Sequence, residues 1–171
     1  LLPGLPAFRQ ALADAEVVGT LEPRFGADGA AVLRGALPLH GTHHVVAYLI
    51  DAPALYARPG SPYGGPDGTD WPDNHRRFAL LGWVAAQLAR GELDAGWSAD
   101  VLHAHDWHAG LAPAYLRQAS GAPDVATVFT IHNLAFQGLF PAQVLSELAL
   151  PPSTFTIEGL EFHGQISFMK A

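Results

Sequence analysis

The feature that most limits how this chain can fold is an alternation of strand and helix patterns between residues 101 and 131. Residues 101–105 (Val-Leu-His-Ala-His) read as a strand, 109–119 as a helix after an Asp106 cap, 121–123 as a turn, and 125–131 as a second strand. Two strands joined through a helix run parallel, because the crossover returns the chain to the sheet end where it began. The pattern predicts an α/β domain with a doubly wound parallel sheet. Residues 44–50 (His-Val-Val-Ala-Tyr-Leu-Ile) suit the same class, since a near-continuous apolar run is typical of a strand covered on both faces.

The rest of the chain fills in around this unit. Leu5, Phe8, Leu12 and Ala13 give residues 5–15 a helical spacing, and residues 17–21 and 31–39 lean towards strand. Between residues 58 and 73 stand Pro59, Gly60, Pro62, Gly64, Gly65, Pro66, Gly68 and Pro72, so no regular element can persist there. Asp73 or Asn74 then supplies an N-cap for a helix running to Arg90, which Gly91 ends. Its apolar stripe is Phe78, Leu81 and Leu88 with Trp83, Val84 and Ala85. Residues 141–171 read as a short helix, a Pro151-Pro152 break, an irregular stretch and a further helix starting at Gln165.

Composition removes several classes of function. The 171 residues are 49% hydrophobic and 15% charged, enough for one globular core, so residues 1–171 are expected to form one domain or most of one. A net charge of −7, with Lys170 as the sole lysine, argues against a phosphate-backbone binder. No run approaches the ~20 apolar residues of a membrane span, and residues 1–6 lack the basic flank of a signal peptide. With no cysteine there is neither a disulfide framework nor a thiolate nucleophile, which fits a cytoplasmic protein without membrane or nucleic-acid partners. The chain opens on Leu1 and stops at Ala171 inside a helix-like pattern, as expected of an internal piece of a longer polypeptide.

Polar side chains gather at the carboxyl ends of the two strands, where open α/β sheets place their ligands. The first cluster is His103, His105, Asp106 and His108, with Trp107 between. Strand period puts His103 and His105 on one face, whereas Asp106 and His108 fall in the turn. Imidazoles and a carboxylate offer the mixture of donors and acceptors that sugar hydroxyls require. The second cluster, His132 and Asn133, lies at the same edge of the sheet. Two other readings stand beside this one: Asp106 and Asn133 act only as caps beside buried histidines, or the histidines form a metal centre. The metal-hydrolase pattern is His-x-His-x-Asp-His, whereas this chain has His-x-His-Asp-x-His, which moves the carboxylate by one position. Trp71, between Asp70 and Pro72, could stack on a sugar ring or pack over the helix start, and Arg76 and Arg77 are expected to be solvated.

Residues 103–110 (His-Ala-His-Asp-Trp-His-Ala-Gly) and 128–138 (Val-Phe-Thr-Ile-His-Asn-Leu-Ala-Phe-Gln-Gly) resemble two signature segments of bacterial glycogen (starch) synthases that use ADP-glucose. Further likenesses are Tyr48 to Pro53 with Leu55 and Tyr56, Arg58 to Tyr63, Asp73 and Asn74 with Arg77 to Leu81, Gly159 to Phe162, and Gly164 to Lys170. The resemblance is nearly continuous from residue 45 onward.

It implies part of the N-terminal, Rossmann-like domain of a two-domain GT-B glycosyltransferase. Such enzymes move glucose from ADP-glucose to the non-reducing end of an α-1,4-glucan with retention, without metal or other cofactor. By position, His132 matches the histidine that contacts the donor glucose, and Asp106 matches the aspartate lining the cleft beside it. Asn133, His108 and Trp71 match candidates for donor or glucan contacts, although relatives often carry Tyr where Trp71 stands. The family's Lys-x-Gly-Gly-Leu loop and its nucleotide-binding second domain have no counterpart here, so the chain alone is expected to be inactive. The competing functions are a metal-dependent hydrolase built on His103, His105, Asp106 and His108, and a non-catalytic glucan-binding module.

Overall fold

In the computed structural model the described residues are 1–12, 14–38, 43–119, 121 and 124–171. The expected turn at 121–123, the end of the 31–39 strand and Ala13 of the first helix fall wholly or partly outside them. The chain divides into two compact units, Leu1–Arg77 with Leu93–Ala95, and Phe78–Glu92 with Gly96–Ala171.

The first unit is a four-stranded sheet with helical turns. Its elements are β1 (Leu2–Pro3), α1 (Pro6–Ala11), β2 (Glu16–Leu21), β3 (Ala30–Pro38), β4 (His44–Asp51) and α2 (Pro53–Tyr56). The strand order is β1-β4-β3-β2, with β1 parallel to β4 and the other pairs antiparallel. This departs from a wholly parallel sheet: β2, β3 and β4 are neighbours both in sequence and in the sheet, separated by few residues, and so reverse direction.

The apolar run of β4 is also covered over only part of its length. Ala47, Leu49 and Ile50 are buried, with Leu2, Phe8, Leu12 and Leu33 packed around the Ala47 and Leu49 cluster, while Val45 and Val46 are exposed. Gly19 marks a register shift in β2, and a Cβ there would meet the Leu93 carbonyl oxygen at 2.9 Å.

The loop from 58 to 73 has no strand or helix beyond a single bridge, Gly64 with Asp70. Its organiser is Arg77, which is 1% exposed rather than solvated. Its Nε donates to the Leu55 carbonyl (2.9 Å), and Nη1 donates to the Pro62 carbonyl (2.9 Å) and to Asn74 Oδ1 (2.6 Å). The Tyr56 hydroxyl donates to the Arg77 carbonyl at 2.6 Å. Long polar side chains usually stay wet, but a loop rich in Gly and Pro leaves carbonyls that no regular element can satisfy, and a guanidinium with several donors serves them.

The second unit begins within α3 (Asn74–Ala89), whose Phe78, Leu80, Val84 and Leu88 are buried. The expected stripe is shifted: Leu81, Trp83 and Ala85 are half-buried. Gly91 has φ +78° and its N–H reaches the Leu88 carbonyl while the Glu92 N–H reaches Gln87, the paired bonds of a Schellman end.

β5 (Val101–His105) and β6 (Ala126–Thr130) pair in parallel, with α4 (Leu111–Gln118) between them in sequence. Gly82 lets α3 approach this helix, since a Cβ there would lie 3.0 Å from the Ala112 nitrogen. The Tyr115 hydroxyl ties α4 to the Leu148 carbonyl at 2.6 Å.

The end of the chain forms β7 (Leu139–Pro141), β8 (Glu161–Phe162) and β9 (Gln165–Ser167) in the order β7-β9-β8, with short 3-10 turns at Ala142–Glu147, Pro152–Thr154 and Phe168–Lys170. Gln165 thus opens a strand instead of the expected helix. The cause is the turn before it, where His163 (φ +50°) and Gly164 (φ +78°) fold Gln165 back against Phe162. No helix among the described residues is long and apolar enough to cross a membrane.

Candidate functional site

The site is built on the open face and the carboxyl ends of β5 and β6. Alternation along β5 buries Leu102 and Ala104 and leaves His103 and His105 exposed on the other face. The parallel register sets His105 opposite Thr130, so His132, two residues further on, follows on the same side. Two bonds cross between the strands: His103 Nε2 with Thr130 Oγ1 at 2.8 Å, and His105 Nδ1 with His132 Nε2 at 3.0 Å. The His103 and His105 rings lie 4.1 Å apart between centroids, and the His105 and His132 planes are within 15° of parallel.

Asp106 is where the chain leaves β5, and its backbone is unusual. At φ +53° and ψ −177° it sits close to a region that is nearly reserved for glycine, at a cost of about 1–3 kcal/mol. Three groups hold it there. Its N–H donates to the Thr130 carbonyl (2.9 Å), its carbonyl accepts from the Ala109 N–H (3.2 Å), and its Oδ1 accepts from the backbone N–H of His132 (2.7 Å) and Asn133 (3.4 Å).

The expected helix cap is therefore absent. Asp106 makes no side-chain bond to the 3-10 turn Trp107–Ala109, nor does it begin α4; its carboxylate reaches across to the end of the neighbouring strand. The His132 amide, and to a lesser degree the Asn133 amide, hold the carboxyl below its usual pKa of 3.8, so it is anionic at neutral pH.

The expected residues are thus brought together in part. Asp106, His132 and Asn133 form one hydrogen-bonded knot, in which Asn133 Oδ1 also accepts from the Ala135 N–H at 3.0 Å. His108 sits beside the knot but is turned into the packing. Its ring lies 4.1 Å from Trp107 and 5.1 Å, edge to face, from Phe78 of α3. Burial pushes its pKa below 6.5 against the opposing pull of Asp106, so it is held neutral.

Gly138 permits the return of the chain over this packing, since a Cβ there would lie 2.5 Å from Trp107 Cε3. Trp71 belongs to the first unit. There it is half-buried, with the Arg58 guanidinium 5.1 Å from its ring centre. Arg58 is fixed in turn by Asp73, through bonds of 2.8 and 2.7 Å.

Chemically, the site offers one anionic carboxylate and a row of exposed imidazoles, a set of donors and acceptors suited to a ligand rich in hydroxyls. No group of three or more His, Asp or Glu side chains among the described residues is arranged to hold a metal ion. The sequence points to His132 and Asp106 for catalysis but not to the pairing of His105 with His132. Two-residue periodicity on both strands carries a signal for it, but the register that sets Thr130 beside His105 is needed to read that signal.

Comparison with known proteins gives a consistent result. The family model described as the starch synthase catalytic domain matches residues 1–171. Glycogen synthases of Francisella philomiragia and of Francisella tularensis subsp. holarctica are each 49% identical over 174 aligned residues, covering all of this chain and 35% of their own length. The chain therefore spans about a third of the relatives it matches. Among solved structures, the catalytic domain of Starch Synthase IV from Arabidopsis thaliana, bound to ADP and acarbose, superposes with a TM-score of 0.68 at 19% identity, over 92% of this chain and 32% of that one. At that identity the likeness is one of fold. The match to the family model along the whole chain, with the identity to the bacterial enzymes, establishes that this chain belongs to the starch synthase catalytic domain family.

Proposed function

We propose that this chain forms one wall of the active cleft of an ADP-glucose-dependent α-1,4-glucosyltransferase, as part of the N-terminal Rossmann-like domain of a cytoplasmic bacterial GT-B enzyme. The observation that carries the reading is the knot at the strand ends, where the Asp106 carboxylate receives the His132 amide at 2.7 Å while the His132 ring is exposed. His132 is then a preorganised polar group for the donor glucose. Asp106 fixes the backbone that presents it and supplies negative charge near an oxocarbenium-like transition state.

Asn133 and His108 support the same wall, and Trp71 is the candidate for glucan stacking. Ligands named for the Arabidopsis relative, ADP and acarbose, are a nucleotide and an oligosaccharide, which suits a donor of the first kind and an acceptor of the second. Metal and other cofactors have no part in this reaction scheme.

The test is transfer of radiolabelled glucose from ADP-glucose to glycogen. A polypeptide carrying this chain together with the remaining length of its relatives should turn over, and residues 1–171 alone should not, because positioning requires groups from both sides of the cleft. Turnover by residues 1–171 alone would show that the site is complete within them. No turnover by the long polypeptide would overturn the reading.

A further inference from the structure

From the bond between the two rings we infer that His105 is a positioning residue that fixes the ring and the tautomer of His132. The inference rests on the reading of His132 as the group that meets the sugar. His105 Nδ1 and His132 Nε2 are 3.0 Å apart, a hydrogen bond that exists only if one nitrogen carries the proton and the other offers its lone pair. The near-parallel planes, 15° apart, fit an in-plane bond better than a face-to-face stack at the 5.3 Å centroid distance.

A neutral imidazole has a single N–H. Whichever way the shared proton lies, the state of His132 Nδ1 is therefore decided by His105. When His105 Nδ1–H donates, His132 must carry its own proton on Nδ1, and that nitrogen is a donor towards a sugar oxygen. In the reverse arrangement Nδ1 could only accept.

The surroundings restrain His105 in turn. Its ring is packed against His103 at 4.1 Å, and His103 Nε2 is held by Thr130 Oγ1 at 2.8 Å. Four side chains thus form one row, His103 with Thr130 on the two parallel strands and His105 with His132, which lies just beyond the end of β6. The backbone of His132 is fixed separately through Asp106 Oδ1, so main chain and ring have independent supports. Two anchors are what a side chain needs if it is to present one nitrogen in one direction without reorganising during the reaction.

The test compares His105→Ala, His105→Asn and His132→Ala in the long polypeptide that carries this chain. Asn places an amide N–H near the position of Nδ1, so it restores a donor without an imidazole. His105→Ala should lower kcat by about tenfold to a hundredfold, as expected when a supporting partner of a reactive group is removed, with little change in KM for ADP-glucose. His105→Asn should recover most of that loss. The 15N shifts of the His132 ring should show a single tautomer protonated at Nδ1 in the parent and in His105→Asn, and a mixture in His105→Ala. An unchanged His132 tautomer in His105→Ala, or equal loss in the Ala and Asn variants, overturns the inference. Full activity of His132→Ala instead brings down the reading of His132 itself.

Discussion

The setting of Arg77 and the row of His103, His105 and His132 are both dense in polar side chains, and they solve opposite problems. Arg77 is almost wholly buried, and its donors go to carbonyls and an amide of the segment 55–74. Its charge is taken from water, and burial lowers its pKa from the ordinary guanidinium value while Tyr56 and Asp73 act against that. Such a group repays its desolvation only by satisfying other buried polar atoms, and its role is to hold the loop in shape.

The imidazoles are exposed and bonded chiefly to one another and to a threonine. They contribute little by burial, and the local backbone strain at Asp106 works against stability. A costly conformation that holds polar groups in the open is the pattern of a site kept for a ligand. The two clusters thus divide by burial: the dry one is architecture, and the wet one is the face that the proposed function gives to the ligand.

Substitutions can break this division. The largest expected effect is on turnover: His132→Ala in the long polypeptide should lower kcat by about two to three orders of magnitude, the loss seen when one preorganised donor is removed near developing charge. Its urea midpoint should barely move, because the ring is exposed. His163→Asn is the control. That position has φ +50° in the β8–β9 turn, a conformation that Asn tolerates, and should leave rate and stability unchanged. Equal loss in both variants would place His132 with the architecture.

Arg77→Ala should show the converse, a destabilisation of about 3 kcal/mol from stranded buried carbonyls and lost packing, read from urea denaturation. Residual folded enzyme should keep a normal kcat if the loop only supports the fold. A variant with unchanged midpoint would contradict the structural role.

The smallest effect is a pH dependence at the border of the two classes, in half-buried His108. Its folded pKa lies below 6.5, so between these two values the unfolded chain binds a proton that the folded chain refuses. Stability from this group is fully present above pH 6.5, falls as pH drops through that window, and levels off below the folded pKa. The slope of the urea midpoint between pH 7 and pH 5 should be shallower in His108→Gln than in the parent. An identical slope would show that His108 is as wet as its neighbours.

Much of this was legible in the residues alone. The strand-helix-strand pattern over 101–131, the loop at 58–73 and the long helix ended by Gly91 follow from local periodicity and backbone freedom, which act within a few residues. The signature segments pointed to the family that the match over residues 1–171 shows, because residue types and their order can be read where geometry cannot.

Relations across the chain were hidden. The pairing of β3 with β4 in opposite directions, the burial of Arg77 and the strand at Gln165 depend on which segment lies alongside which, and no local pattern encodes a partner. Asp106 shows the limit most clearly. Its sequence position before a helix makes a cap the natural reading, yet a left-handed backbone turns its carboxylate onto the amides of His132 and Asn133. The sequence by itself determined which polar groups gather at the carboxyl ends of β5 and β6. Only the tertiary structure decided which of them bond to each other, since a hydrogen bond requires a donor and an acceptor at one place, and the parallel register of β5 and β6 brings them there.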